Sequence, residues 1–208
     1  MNHLTSNALN LSALSFSYSG RSIFNNLSAE IAQGVSLIRC DESRGKSTLI
    51  QLLAGELLPD QGDISLNGLN SKTDQTEYRR QVYFIDARSE KFDQISAIQY
   101  FSDLANQYPG FDQTKIPALL AGLGLTPHQD KPLYMLSAGS KRKVWIAAAI
   151  ASGAKITLID DLTAALDRGS IDFIVDQLIA VSSDSNRHII ISHYDTLGRI
   201  PFSSILDL

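Results

Sequence analysis

The chain has 208 residues, with 18 Lys and Arg against 22 Asp and Glu, a formal net charge of −4, and one cysteine. That length sustains one domain, or one core with a small subdomain, and the acidic balance excludes the polycationic surface that tracks nucleic-acid phosphates. A lone Cys40 excludes an internal disulfide and fits a reducing compartment.

No apolar run approaches the roughly 20 residues of a bilayer-spanning helix, and Met1 to Asn7 lacks the basic segment and apolar core of a signal peptide. Service to a membrane is therefore expected from the cytoplasmic side, through a partner. In chain order, Leu9 to Tyr18, Leu27 to Ile31 and Val35 to Arg39 are short β-favouring runs parted by turn residues. Asp63 to Leu66 follows the turn Pro59-Asp60-Gln61-Gly62. Thr48 to Ala54 has a helical pattern with an apolar face, stopped at Gly55. The block from about 96 to 151 is rich in Ala, Leu and Gln at helical spacing, broken near Tyr108-Pro109-Gly110, Pro127 and Pro132, and reads as a helical subdomain. Beyond it the apolar runs Ile156 to Ile159 and His188 to Ile191 enclose a helical pattern from Ser170 to Val181, which predicts buried parallel strands. There are no internal repeats, low-complexity tracts or linkers, so residues 1–208 read as one domain.

The run Val35 to Ile38 leads into Cys40-Asp41-Glu42-Ser43-Arg44-Gly45-Lys46-Ser47-Thr48. Its second half matches the phosphate-loop pattern G-x-x-x-x-G-K-[ST], whereas Cys40 stands at the first Gly. A strand feeding a tight turn and a helix aims backbone N–H groups and the positive helix end at one point, which suits polyphosphate. Lys46 is placed for the β- and γ-phosphates, and Ser47 for Mg²⁺. Ile156 to Ile159 ends in Asp160-Asp161, at the strand end where parallel sheets bind ligands. Asp160 suits Mg²⁺ and Asp161 the polarisation of an attacking water. Taken alone, such a pair is more often two solvated loop residues. Leu136-Ser137-Ala138-Gly139-Ser140 opens a helix with small residues, either a second phosphate receptor or a plain Ser cap. Lys141-Arg142-Lys143 after it reads as a solvated helix face. His3, His128 and His188 have no ligand-like spacing.

In this order, and with His193 after Ile189-Ile190-Ile191-Ser192, the motifs resemble the ATP-binding-cassette (ABC) ATPase family over nearly the whole chain. The resemblance implies an α/β, P-loop NTPase-like core of mainly parallel sheet flanked by helices, with an antiparallel β subdomain and a helical signature subdomain. It implies that Tyr18 stacks on adenine and that residues Cys40 to Thr48 form the Walker A loop. Asp160 corresponds to the Walker B magnesium carboxylate, and Leu136 to Ser140 to the signature that contacts ATP on the opposite subunit. Leu162 to Asp167 resemble the D-loop, and His193 the switch histidine. ATP, Mg²⁺, a head-to-tail homodimer or heterodimer and a transmembrane permease are the implied cofactors and partners, and no nucleic acid. A groove around Tyr83 to Phe101 is expected to receive the permease's coupling helix.

Several positions depart from the family pattern. Cys40 and Ser43 replace loop glycines, and Asp41 and Glu42 add negative charge that Arg44 partly offsets, so ATP affinity is expected to fall by about one to a few kcal/mol. Asp161 replaces a Glu that is one methylene longer, and misplacement of roughly 1 Å can cost about 100-fold, so slow hydrolysis is expected. The Q-loop glutamine is missing: Asp86 and Ala87 stand there, Asp86 being a candidate substitute ligand for Mg²⁺. Ala138 replaces one signature Gly, and Ala148 a common Arg. Cys40 near Arg39 and Lys46 admits a redox switch, although a small residue tolerated in place of Gly is the plainer account. The leading expectation is the ATP-binding subunit of a transporter, resembling compact subunits such as those of haem exporters. A hydrolysis-impaired nucleotide-binding switch comes second, and a non-transport ABC ATPase third.

Overall fold

Two sheets with one short helix between them organise the computed structural model, which describes residues 7–40, 45–182 and 186–208. Strands β1 (Leu9–Tyr18) and β2 (Arg21–Ile31) form an antiparallel hairpin. Its turn residues Ser19 and Gly20 both have positive φ, 43° and 85°, the backbone twist that two-residue hairpin loops require. There follow β3 (Gly34–Arg39), α1 (Lys46–Leu53), β4 (Gln61–Leu66), β5 (Leu69–Asn70), α2 (Gln75–Arg80) and β6 (Val82–Tyr83). The second half holds α3 (Ala97–Gln107), α4 (Ile116–Gly122), α5 (Ala138–Ala151), β7 (Ile156–Ile159), α6 (Arg168–Ser182), β8 (His188–His193) and β9 (Ser204–Asp207). The antiparallel sheet runs β2-β1-β4-β5 and the second sheet β6-β7-β8-β3-β9, the latter with every described pairing parallel.

The apolar runs expected as strands are strands, and the block from 96 to 151 holds α3, α4 and α5. The run Leu27 to Ile31 is the end of a longer strand, because β1 recruits it from Arg21 onward as hairpin partner. Strands β6 and β9 and helix α2 were not expected. The strands are two and four residues long, too short to carry a period of their own and placed by pairing at the edges of the sheet.

Alternation along β8 divides the interior. Ile189 and Ile191 face the core beneath α3 to α6, and Ile190 faces the core shared with the antiparallel sheet, as successive side chains in a strand must. Helix α1 lies in that second core, where Leu49, Ile50, Leu52 and Leu53 are fully buried against residues of both sheets. An eight-residue helix is unstable alone. Burial of about 1.5–3 kcal/mol per large apolar side chain holds it, and so fixes where its N-terminus points. The far end of α5 is held by Arg187, which is 9% exposed. Its guanidinium donates to the carbonyls of Ala149 at 3.2 Å, Ile150 at 3.3 Å and Ala154 at 3.1 Å, and to the hydroxyls of Ser152 and Thr157, satisfying carbonyls that a helix end leaves open.

Candidate functional site

Parallel pairing sets the carboxyl ends of β7, β8 and β3 side by side. Ile159 lies opposite Ile191 and Arg39 opposite His193, so Cys40, Asp160 and His193 emerge along one rim. Open parallel sheets bind ligands at that edge.

Cys40 is buried, and Asp41, Glu42, Ser43 and Arg44 fall outside the described residues. Gly45 resumes the loop at φ 103°, and a Cβ there would meet Ile23 Cγ2 at 2.7 Å and Phe24 Cζ at 2.9 Å. Left-handed backbone and close packing therefore both demand glycine. The N-cap of α1 is Gly45, which has no side chain to cap the helix. Lys46 Nζ donates to the Cys40 carbonyl at 2.7 Å. Ser47 is exposed at the helix start and Thr48 half-buried.

Ser192, fully buried at the end of β8, ties the two acidic residues together. Its hydroxyl donates to Asp160 Oδ1 at 2.6 Å and accepts from the Asp161 N–H at 2.9 Å. Asp161 is exposed at φ 50°. Arg142 Nη2 donates to the carbonyls of both Asp160 and Asp161. Burial lowers the affinity of that guanidinium for its proton, opposed by the charges of Asp161 and Asp160.

His193 is 4% exposed. Its Nδ1 lies 2.7 Å from the Asp195 carbonyl oxygen and 3.2 Å from the Asp195 amide nitrogen, and its Nε2 is 3.0 Å from the Thr163 hydroxyl. The histidine is thus turned to the segment from Leu162 to Asp167 and covered by the ring of Tyr194, 4.2 Å away and 66% exposed. Ser137 caps α5, accepting from Ser140 N at 3.1 Å and donating to Ser140 Oγ at 3.0 Å. Ser137 and Ala138 are exposed and Leu136, Gly139 and Ser140 half-buried. A Cβ on Gly139 would meet the Ala165 carbonyl at 2.5 Å, so the small residue permits that turn to lie against α5. Tyr18 ends β1 at 44% exposure, edge-on to Phe16.

One expectation changes, that for the basic trio, and the candidate metal ligand Asp86 has a partner of its own. Asp86, read as a substitute metal ligand, gives both carboxylate oxygens to Arg88, at 3.1 Å and 3.0 Å. That hydrogen bonding holds its carboxyl below the ordinary range. Among the described residues no cluster of three or more His, Cys, Asp or Glu is placed to hold a metal. The basic trio is no solvated face. Lys141 pairs with Asp93 and Lys143 with Asp167, both at 2.6 Å, and Arg142 reaches the acidic pair. Consecutive helix positions turn by about 100° each, so three in a row cannot share one face; that was the available signal. Ser192 and Thr163 gave none, being small polar residues that gain meaning only from what they touch.

A groove of about 780 Å³ opens between the C-terminal end of α1, α2 and α3, with Leu57, Phe84, Phe92 and Leu104 among charged Arg79 and Lys91. Its lining is mixed rather than wholly apolar. Among the described residues no helix is long and apolar enough to cross a membrane.

A family model described as ABC transporter matches residues 24–164. The chain belongs to the ABC transporter family. It is 33% identical over 166 residues to the cobalt import ATP-binding protein CbiO of Rhodobacter capsulatus, covering 74% of this chain and 59% of that protein. It is 29% identical to the cytochrome c biogenesis ATP-binding export protein CcmA of Pseudomonas savastanoi pv. phaseolicola, over 93% of this chain and 91% of that one. The solved structure of cbiO1 from Clostridium perfringens, part of the ABC transporter complex cbiONQ, superposes with a TM-score of 0.68 at 25% identity, over 90% of this chain and 78% of that one. Binding and hydrolysis of ATP are general to the ABC transporter family, and the parallel sheet, antiparallel sheet and helical block agree with it.

Proposed function

We propose that this chain is the ATP-binding subunit of an ABC transporter, acting as one half of a dimer on a separate membrane permease at the cytoplasmic face. The observation that carries this is the shared rim: Cys40, leading to Gly45-Lys46-Ser47, Asp160-Asp161 and His193 lie at the same ends of three neighbouring parallel strands, with Arg142 of α5 on the acidic pair. Names of relatives, an import subunit and an export subunit, support the class without choosing a cargo.

In this reading the first turn of α1 and Lys46 hold the phosphates, Cys40 to Arg44 are further candidate phosphate-loop residues, and Tyr18 meets the base. Ser47 and Asp160 offer the hard oxygen ligands that Mg²⁺ takes; when bound, the ion neutralises charge on the transferred phosphoryl group. Asp86 is a less suited third ligand, being engaged by Arg88. Asp161 orients the attacking water, and His193 senses the γ-phosphate after leaving Thr163. Leu136 to Ser140 face the nucleotide of the partner subunit. The groove beside Phe84 and Phe92 takes the permease's coupling segment. Hydrolysis is slow because the carboxylate of Asp161 is short.

A second reading, a nucleotide-dependent switch with little turnover, is favoured by the exposed Asp161 and the Arg88-bound Asp86. Mg-ATP turnover across protein concentration, with Lys46→Ala as blank, separates the two. Turnover that rises faster than linearly and vanishes in the variant is expected; turnover equal to the variant's overturns the enzymatic reading.

A further inference from the structure

We propose that Arg142 is a positioning residue for hydrolysis, gripping the carbonyls of Asp160 and Asp161 from the second turn of α5 and so holding the Asp161 carboxylate in place. The inference rests on the reading of Asp161 given above.

Packing does not account for an arginine here. Its Nε is buried with no hydrogen-bond partner, as is Nε1 of Trp145 one turn on, and both residues line a small cavity with Ile159 and Asp160. An apolar side chain of the same length would fill that space without desolvating a charge. What the guanidinium gains is the contact with two successive carbonyls. The second belongs to a residue at φ 50°, a conformation a non-glycine residue keeps only where its surroundings over-determine it. Ser192 supplies the opposite side, taking the Asp161 N–H at 2.9 Å and donating to Asp160 Oδ1 at 2.6 Å. The dipeptide is therefore held from β8 at its amide and carboxylate and from α5 at its carbonyls. Arg142 lies five residues after Ser137, so a shift in the first turns of α5 is passed to the acidic pair of the same chain.

The test uses Arg142→Met, which keeps length and apolar contact but deletes both bonds, and Arg142→Lys, which keeps one cationic donor without the planar fork. Four quantities are read: Tm, hydrogen exchange at the amides of Asp161 and Leu162 without nucleotide, Kd for a fluorescent ATP analogue, and kcat. The Met variant should fold with a Tm about 2–8 °C below wild type, because two carbonyls lose their donor, and bind the analogue within about twofold of wild type, while the two amides exchange about tenfold faster and kcat falls about 10- to 100-fold. The Lys variant should fall between. Wild-type exchange and kcat in a folded Met variant overturn the proposal, as does a fall in analogue affinity as large, in fold-change, as the fall in kcat, the mark of a packing role. If the Met variant does not fold, wild-type kcat in the Lys variant overturns it. Wild-type turnover no greater than that of Lys46→Ala would refute the hydrolysis reading instead, and amide exchange alone would then decide the grip.

Discussion

Substituting Gly139 by Ala places a methyl group at a backbone that has nowhere to go. The added Cβ would stand 2.5 Å from the Ala165 carbonyl oxygen, where ordinary contact begins at 3.4 Å. The obstacle is main chain rather than the end of a flexible side chain. Ala165 itself is at φ 58°, and its turn is closed by Ala164 N to Asp161 O and Leu166 N to Thr163 O, each at 3.2 Å. Relief therefore requires either overpacking, at about 1–3 kcal/mol, or displacement of residues 163–166 by close to an ångström. Displacement would draw Thr163 from its 3.0 Å contact with His193, and misplacement on that scale costs about 100-fold in rate. For a chain of this length the stability loss corresponds to a fall in Tm of about 2–12 °C. Thermal melting and Mg-ATP turnover, with Lys46→Ala as blank, measure the two routes. A Gly139→Ala protein unchanged in both would refute the close approach of this turn to α5.

Arg187→Leu should cost about 3 kcal/mol or more and lower Tm by about 6 °C or more, because the buried carbonyls of Ala149, Ile150 and Ala154 lose their donor; an unchanged Tm would refute the cap. His188 is fully buried, and burial pushes its imidazole below the ordinary 6.5, opposed by hydrogen bonds to the carbonyls of Asn7 and Ala32. The unfolded chain then binds the extra proton first, so the stability this group contributes is present above about pH 6.5 and is lost as pH falls toward the folded value. Tm measured from about pH 7.5 to 5.5 should decline less steeply in His188→Gln, and equal slopes would refute it. Asp161→Glu restores the missing methylene and should raise kcat by up to about 100-fold. It should also lower Tm slightly, since Asp tolerates the left-handed φ better than Glu does. A fall in kcat would show that the shorter carboxylate is the adapted one.

The sequence by itself determined the elements whose signal is local. Continuous apolar runs place β3, β7 and β8, helical spacing places α5 and α6, and the motifs put Lys46, Asp160 and His193 at element ends, because side-chain period and turn chemistry act over a few residues. Parallel pairing then carries those ends to one rim. Tertiary structure alone decided what each polar side chain touches. Lys141, Arg142 and Lys143 read as one charge run and became three separate contacts, with Asp93, the acidic pair and Asp167. His188 went to carbonyls at Asn7 and Ala32, and Arg187 to the end of α5. The physical reason is that hydrogen-bond partners of buried polar groups come mostly from distant segments, and desolvation makes leaving them unpaired costly. Such pairings follow from how the elements pack, which no local pattern encodes.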